Sequence, residues 1–176
     1  MTSPKVHLQK TSGYKLPFAD NFFDAVILFD VVEHLDEPEK SWAECRRVLK
    51  NGGYFYVEFP PFYSISGHHL YDLTKLPIHL FWPEEKIKNF IFRHQPVGFK
   101  TPQIIWDEYK SCNKMTINEF KKYYRQTGLE KVRERYIIKY PEIFEFNLPF
   151  LGWLNFLGRL RDFFVMGFEG LYKVQK

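Results

Sequence analysis

Two short, largely apolar runs with one helical segment between them constrain the fold of this chain more than any other feature. The first run covers residues 24–29, and the second covers residues 54–59, which Pro60 and Pro61 end. Short apolar runs of this kind are typical of parallel strands that are buried on both faces. Because parallel strands need a crossover between them, the helical segment completes a predicted β-α-β unit.

Signals for the start and end of a helix delimit the crossover. Asp36 suits the N-cap position, Pro38 falls in the first turn, and Gly52-Gly53 is expected to stop the helix. One apolar face follows the helical repeat: Trp42, Cys45, Val48 and Leu49. We therefore expect this helix to pack that face against the sheet.

Weaker patterns predict the remaining elements. Strands are expected at residues 6–9, 135–140 and 167–174, and helices at residues 83–92, 116–127 and 149–164. Thr116 and Glu119 have the spacing of a capping box, and Gly128 follows the helix that they begin. The last two strands are expected to form an antiparallel hairpin at the edge of the sheet. Residues 62–110, rich in Pro, His and aromatic residues, are expected to form a substrate-side insertion in a single domain of residues 1–176.

Composition and charge exclude several classes of protein. The chain holds 25 Lys and Arg against 21 Asp and Glu, and the two signs alternate, so no nucleic-acid-binding stripe is expected. Its 45% hydrophobic content predicts a packed domain, and no apolar run is long enough for a transmembrane helix. Cys45 and Cys112 lack metal-type spacing and suggest reduced thiols in a cytoplasmic protein without a signal peptide.

Five short motifs follow one another before residue 61. They are Leu16-Pro17-Phe18, Phe23-Asp24-Ala25-Val26, Glu33-His34-Leu35, Arg47-Val48-Leu49-Lys50-Asn51-Gly52-Gly53, and a strand that Pro60 ends. This order and spacing resembles the second half of the class I S-adenosylmethionine (SAM)-dependent methyltransferases that act on small molecules. The resemblance implies an α/β fold with a partial Rossmann-like sheet, in which parallel strands carry an antiparallel C-terminal edge hairpin and the first strands are missing.

The same resemblance implies a cofactor site made of Ser12, Gly13, Asp30, Val31 and Glu33. Ser12 stands where the family has an Asp, and nothing before Leu16 supplies the family's glycine-rich turn. We therefore expect a truncated domain with reduced affinity for SAM. Loss of the first strands would expose the edge of the strand at residues 24–29, so a homodimer or an N-terminal fragment is expected to cover it.

Chemically versatile side chains follow both predicted parallel strands. Asp30, Glu33 and His34 come directly after the first strand, and His68, His69 and Tyr71 follow the second. Because ligands bind beyond the carboxyl ends of such strands, we expect these residues to meet in one crevice. His34 and His69 are the predicted catalytic residues, since imidazole transfers protons near neutral pH. The predicted substrate contacts, which include one aromatic stacking residue, are His68, Tyr71 and Trp82.

The residues alone leave other roles open for this cluster. Glu33 and His34 could cap the following turn, or line the pocket of cofactor and acceptor. Resemblance to methyltransferases with an acid-x-x-Glu-His motif implies a third role, a Mg²⁺ site formed by Asp30, Glu33, His34 and His69. Carboxylates and imidazoles are plausible ligands for such an ion.

The sequence thus predicts a SAM-dependent methyltransferase and leaves its acceptor unidentified among small molecules, sugars, quinone-like phenols and lipid-linked glycans. Two alternatives remain: an inactive methyltransferase-fold remnant or binding module, and one subunit of a split enzyme. Residues 144–166 are aromatic and basic, which suits a membrane-interfacial helix. A core helix or a dimer contact explains the same residues and is the preferred interpretation.

Overall fold

One mixed sheet organises the computed structural model, which describes residues 6–65, 67–70, 72–94, 96, 98–139 and 145–176. Among these residues the strand order is β1-β2-β5-β3-β4. The strands are β1 (Phe23–Phe29), β2 (Leu49–Phe59), β3 (Leu129–Lys139), β4 (Glu145–Asn147) and β5 (Gly167–Val174). The α-helices are α1 (Pro38–Val48), α2 (Glu84–Arg93), α3 (Pro102–Ser111), α4 (Ile117–Gln126) and α5 (Arg159–Phe164).

The predicted β-α-β unit is present. Strands β1 and β2 pair in parallel, from Ala25 opposite Tyr54 to Phe29 opposite Glu58, and α1 makes the crossover. The sheet therefore has the partial Rossmann-like character that the sequence predicts. Both strands run in one direction, so the segments that follow Phe29 and Phe59 lie at the same end of the sheet.

Gly52 and Gly53 were expected to stop the crossover helix, but both lie within β2. Helix α1 ends at Val48, and β2 begins at once with Leu49. Gly52 has a left-handed φ of 77°, and a Cβ on Gly53 would come within 2.9 Å of the Lys50 carbonyl oxygen. The pair therefore forms an irregularity where the register against β1 shifts.

The C-terminal strands pair as predicted but occupy different places in the sheet. Strand β5 is antiparallel to β3, and it also pairs antiparallel with β2, so it lies inside the sheet. The short strand β4 forms the edge on that side. Buried Phe168, Tyr172 and Val174 explain the inner position, since β5 packs apolar side chains along its length.

A side-chain cap marks the start of α4 but not the start of α1. The predicted capping box of α4 is present: the Thr116 hydroxyl accepts from the Glu119 amide at 3.1 Å, and the Glu119 carboxylate accepts from the Thr116 amide at 2.8 Å. In contrast, the N-cap of α1 is Glu37, without a side-chain cap, and the predicted cap Asp36 accepts a hydrogen bond from the Tyr14 hydroxyl.

Three other sequence expectations need correction. Residues 6–9 form no strand, and Val6 and Leu8 there are 80% and 96% exposed. Helix α3 was not predicted; it begins at the Thr101-Pro102 pair inside the expected irregular insertion. The region 149–164 is broken into two 3₁₀ turns and α5, and Gly158, with a positive φ of 47°, separates the second turn from α5.

Two apolar clusters stabilise the part of the chain that the structure describes. The larger one packs α1 and α4 on the sheet around Trp42, Phe55 and Phe120. The second joins α2 to α3 through side chains such as Ile87, Ile105 and Tyr109. This second cluster lies within residues 62–112 and fixes the position of α3 beside the segments that follow β1 and β2.

Candidate functional site

A carboxylate and two imidazoles meet at the carboxyl ends of β1 and β2. Asp30 leaves β1 with a left-handed φ of 50° and leads into a 3₁₀ turn, Val32–His34. His69 follows β2 and also has a left-handed φ, of 53°. A carboxylate oxygen of Glu33 and one ring nitrogen each of His34 and His69 all lie within 4.8 Å of one another. Strained non-glycine backbone of this kind clusters at functional sites.

Glu33 is the most deeply buried member of this cluster. It is 2% exposed, and among the described residues neither of its carboxylate oxygens has a hydrogen-bond partner in another side chain or backbone group. Burial raises the pKa of Glu33 to about 7, and the charge of Asp30 adds to the rise. Glu33 can therefore exchange a proton near neutral pH, unlike an ordinary surface carboxylate.

The two imidazoles stand side by side. The ring centroids of His34 and His69 are 4.9 Å apart, and His69 Nε2 lies 3.9 Å from Glu33 Oε1. Burial lowers the pKa of His69, and His34 lowers it further. His69 is consequently a neutral imidazole at pH 7, with a nitrogen lone pair available to a proton or a cation.

Residues at the end of α3 hold the turn in place. The Asn113 side-chain amide donates to the Val32 and Leu35 carbonyls at 2.8 and 2.9 Å, and its backbone amide donates to the Glu33 carbonyl at 2.7 Å. Ser111 Oγ lies 2.8 Å from His34 Nδ1. Neither residue was predicted as part of the site, because each lies about 80 residues from its partners in the sequence and reaches them only through the packing of α3.

An apolar groove of about 300 Å³ lies beside β1. Gly13 and Val31, two of the predicted cofactor residues, line it together with Leu16, Phe23, Ala25, Val26, Leu28, Leu35, Ser41 and Cys45. A Cβ on Gly13 would meet Ser41 Oγ at 3.3 Å, so only glycine fits here without displacement. Ser12 is exposed and lies outside the lining, while Glu33 belongs to the imidazole cluster.

The two predicted substrate residues that the structure describes, His68 and Trp82, lie outside the cluster of Glu33, His34 and His69. His68 is fully buried against His79, with ring centroids 4.6 Å apart, and burial lowers the pKa of His68 to about 3. Trp82 lines a separate depression beside Lys86, whose Nζ lies 4.0 Å from the ring centroid. Tyr71 lies outside the described residues. His68 directly precedes His69 in the sequence, but its complete burial disfavours a direct contact with substrate.

No helix in the described ranges combines the length and the apolar character needed to cross a membrane. In the segment at residues 146–164, side chains expected in a core are largely exposed, among them Trp153 at 88% and Phe156 at 81%. A core position is therefore wrong for these two residues, and the dimer contact, the other half of the preferred interpretation, stays a prediction. Cys45 and Cys112 are both buried and unpaired.

Comparisons with known proteins point to one family. Residues 2–57 match a family model described as a methyltransferase domain. An uncharacterized methyltransferase of Schizosaccharomyces pombe is 51% identical over 43 residues, which make up 24% of this chain and 16% of that protein. A demethylmenaquinone methyltransferase of Renibacterium salmoninarum is 41% identical over 61 residues, or 31% and 26% of the two chains. The aligned part thus spans about a quarter or less of these relatives.

A solved structure extends the similarity over almost the whole chain. The SAM-dependent methyltransferase of Thermotoga maritima, described as a possible histamine N-methyltransferase, superposes with a TM-score of 0.57 at 19% identity. The match covers 96% of this chain and 63% of that one, and at this identity it establishes the fold. The sequence match across β1, α1 and β2 and the shared fold agree: the first third of this chain is similar to a methyltransferase domain, and the chain has the fold of a SAM-dependent methyltransferase of known structure.

Proposed function

We propose that this chain forms the acceptor side of a SAM-dependent methyltransferase that transfers a methyl group to a small-molecule acceptor. The observation that carries the proposal is the convergence of Glu33, His34 and His69 at the carboxyl ends of two parallel strands. Ligands of open α/β sheets bind at this end. Methyl transfer depends mainly on positioning the two reactants, so a small constellation of side chains suffices.

The groove beside β1 fits one wall of a SAM site. Gly13 and Val31 contribute to its apolar lining, and Asp30 and Glu33 place carboxylates at the end of β1, where they would attract the positively charged sulfonium. SAM would supply an activated methyl group there. The described residues include no strand followed by a glycine-rich turn, so we propose that this chain alone binds the cofactor weakly.

His69 and His34 are the residues that we propose assist the acceptor. The lowered pKa of His69 keeps its ring unprotonated at neutral pH, which either way of assisting the acceptor requires, as a general base or as a ligand of a cation that holds the acceptor. Residues 62–110 would shape the acceptor side, because they supply His69 and, through the packing of α2 on α3, the position of α3. The relatives differ in their named acceptors, so they support no narrower class than a small molecule.

A second candidate, one subunit of a split or dimeric enzyme, is favoured by the open edge of β1. This strand pairs only with β2 among the described strands, and Ile27 and Phe29 are 66% and 57% exposed. An exposed apolar edge is a template for pairing with another strand. We propose that a second copy or an N-terminal fragment covers it. An inactive methyltransferase-fold remnant or binding module is the third candidate. The cytoplasmic location of the chain stays a prediction.

Calorimetric titration with S-adenosylhomocysteine tests the proposal. We expect saturable binding to the purified chain with a dissociation constant of about 0.01–1 mM, or ~4–7 kcal/mol. Asp30→Asn, which tolerates the left-handed backbone, is expected to weaken binding several-fold, whereas the matched control Asp107→Asn on the exposed side of α3 leaves it unchanged. No saturable heat at millimolar ligand would contradict cofactor binding and favour the inactive remnant.

A further inference from the structure

We propose that Glu33, His34 and His69 bind one divalent transition-metal cation, whose remaining coordination positions take an oxygen or nitrogen atom of the methyl acceptor. The inference deepens the proposed function, because it assigns to the same site the means of holding the acceptor. It rests on the geometry of three side chains and on the hydrogen bonds around them.

The carboxylate of Glu33 is the first argument. A buried ionised carboxylate is costly unless a cation or hydrogen-bond donors compensate its charge. Among the described residues Glu33 Oε1, Glu33 Oε2 and His69 Nε2 are buried without a hydrogen-bond partner, and they face one another. A single cation placed among these atoms would compensate all three, and it would also reduce the repulsion between Glu33 and Asp30.

The hydrogen bonds of Ser111 supply the second argument. Ser111 Oγ donates its one proton to the Glu108 carbonyl at 2.8 Å, so it must accept from His34 Nδ1 at 2.8 Å. His34 therefore carries its proton on Nδ1, and the lone pair of Nε2 is available to a metal. A hydrogen bond from the second ring nitrogen to a neighbouring group is the usual way in which proteins orient metal-binding histidines.

The donor set indicates which class of cation binds. Two imidazoles and one carboxylate suit Zn²⁺, Co²⁺, Mn²⁺ or Fe²⁺, whereas Mg²⁺ and Ca²⁺ prefer sites made of oxygen atoms. The donor set thus favours a transition metal over the Mg²⁺ that the resemblance implies. Sites with three protein ligands leave at least one position open, which a substrate atom can occupy.

Titration with Co²⁺ tests the site without cofactor or acceptor. For the purified chain we expect visible absorption bands of low-coordinate cobalt that saturate at one equivalent. Glu33→Gln, His34→Gln and His69→Gln are each expected to weaken binding at least about tenfold, and Ser111→Ala about 10–100-fold as a positioning residue. The matched controls Glu37→Gln and His94→Gln replace exposed residues outside the cluster and should bind Co²⁺ as the unmodified chain does.

Two outcomes would overturn the inference. One is the absence of saturable one-equivalent binding, and the other is cobalt binding that survives both Glu33→Gln and His69→Gln in chains whose circular dichroism shows an intact fold. Displacement of Co²⁺ by about 1 mM Mg²⁺ would overturn the assignment to a transition metal. Cobalt binding is measured without SAM or acceptor. A chain that fails to bind cobalt can therefore still transfer a methyl group, and a chain that binds cobalt can fail to transfer one, so the two proposals are tested separately.

Discussion

Asn113 satisfies three backbone carbonyls around the turn that carries Glu33. In Asn113→Ala the carbonyls of Val32 and Leu35 lose their side-chain donor in a partly buried site. We predict a loss of about 1–3 kcal/mol in the free energy of unfolding, measured by urea denaturation. Asn89→Ala on the exposed face of α2 is the matched control, with an expected change within about 0.5 kcal/mol. Equal stabilities of the two variants would show that Asn113 does not hold the turn.

His79 gives the folded chain a definite response to acid. Burial lowers the pKa of His79 to about 4, below its ordinary value of 6.5, and its Nε2 lies 2.9 Å from the Phe62 carbonyl oxygen. The unfolded chain binds a proton there below pH 6.5, while the folded chain does so only near pH 4. The stability that this residue contributes is therefore complete above pH 6.5 and is lost as the pH falls toward 4, by about 1–3 kcal/mol.

The measurement for His79 compares urea unfolding at several pH values between 4 and 7. His79→Gln can still donate to the Phe62 carbonyl but cannot titrate, so we predict that its free energy of unfolding falls less steeply over this range. A slope identical to that of the unmodified chain would contradict the assignment.

The capping box of α4 shows how far sequence signals determine one element. The Thr116 hydroxyl accepts from the Glu119 amide, and the pair closes the first turn of the helix. We predict that Thr116→Ala costs about 0.5–2 kcal/mol of stability in thermal or urea unfolding, and that Thr116→Ser restores most of it because the hydroxyl remains. A serine variant as unstable as the alanine variant would exclude the cap as the cause.

Elements with strong local signals were predictable, and those set by distant contacts were not. The β1-α1-β2 unit, α2 and α4 follow from apolar runs and caps within each segment. The position of β5 between β2 and β3 was not predictable, because strand order depends on which apolar faces meet after long connections. Likewise Glu33, His34 and His69 were found from their places after strands, while Ser111 and Asn113 reach the site only through the packing of α3.

The open edge of β1 determines how whole molecules associate. Ile27 is 66% exposed on this edge strand, so a charged side chain there would not disturb the core. We predict a dimer at tens of micromolar by light scattering after size exclusion, and a monomer for Ile27→Lys, because lysine on an edge strand opposes pairing. Tyr54→Lys on β2, where Tyr54 is 45% exposed and pairs with Ala25 on one side and Lys173 on the other, is the control and should remain dimeric. A monomeric unmodified chain would count against self-pairing and leave an N-terminal fragment as the proposed cover.

Amide NMR during titration with S-adenosylhomocysteine locates the cofactor site most directly. If the methyltransferase site lies at the carboxyl ends of β1 and β2, the amide signals of Gly13, Asp30 and Val31 should shift together and saturate. Those of Gly52, in the part of β2 opposite the start of β1, and of Gly128, directly before β3, should stay in place. Shifts confined to Gly52 and Gly128, or no shift at any of these amides at millimolar ligand, would contradict the account.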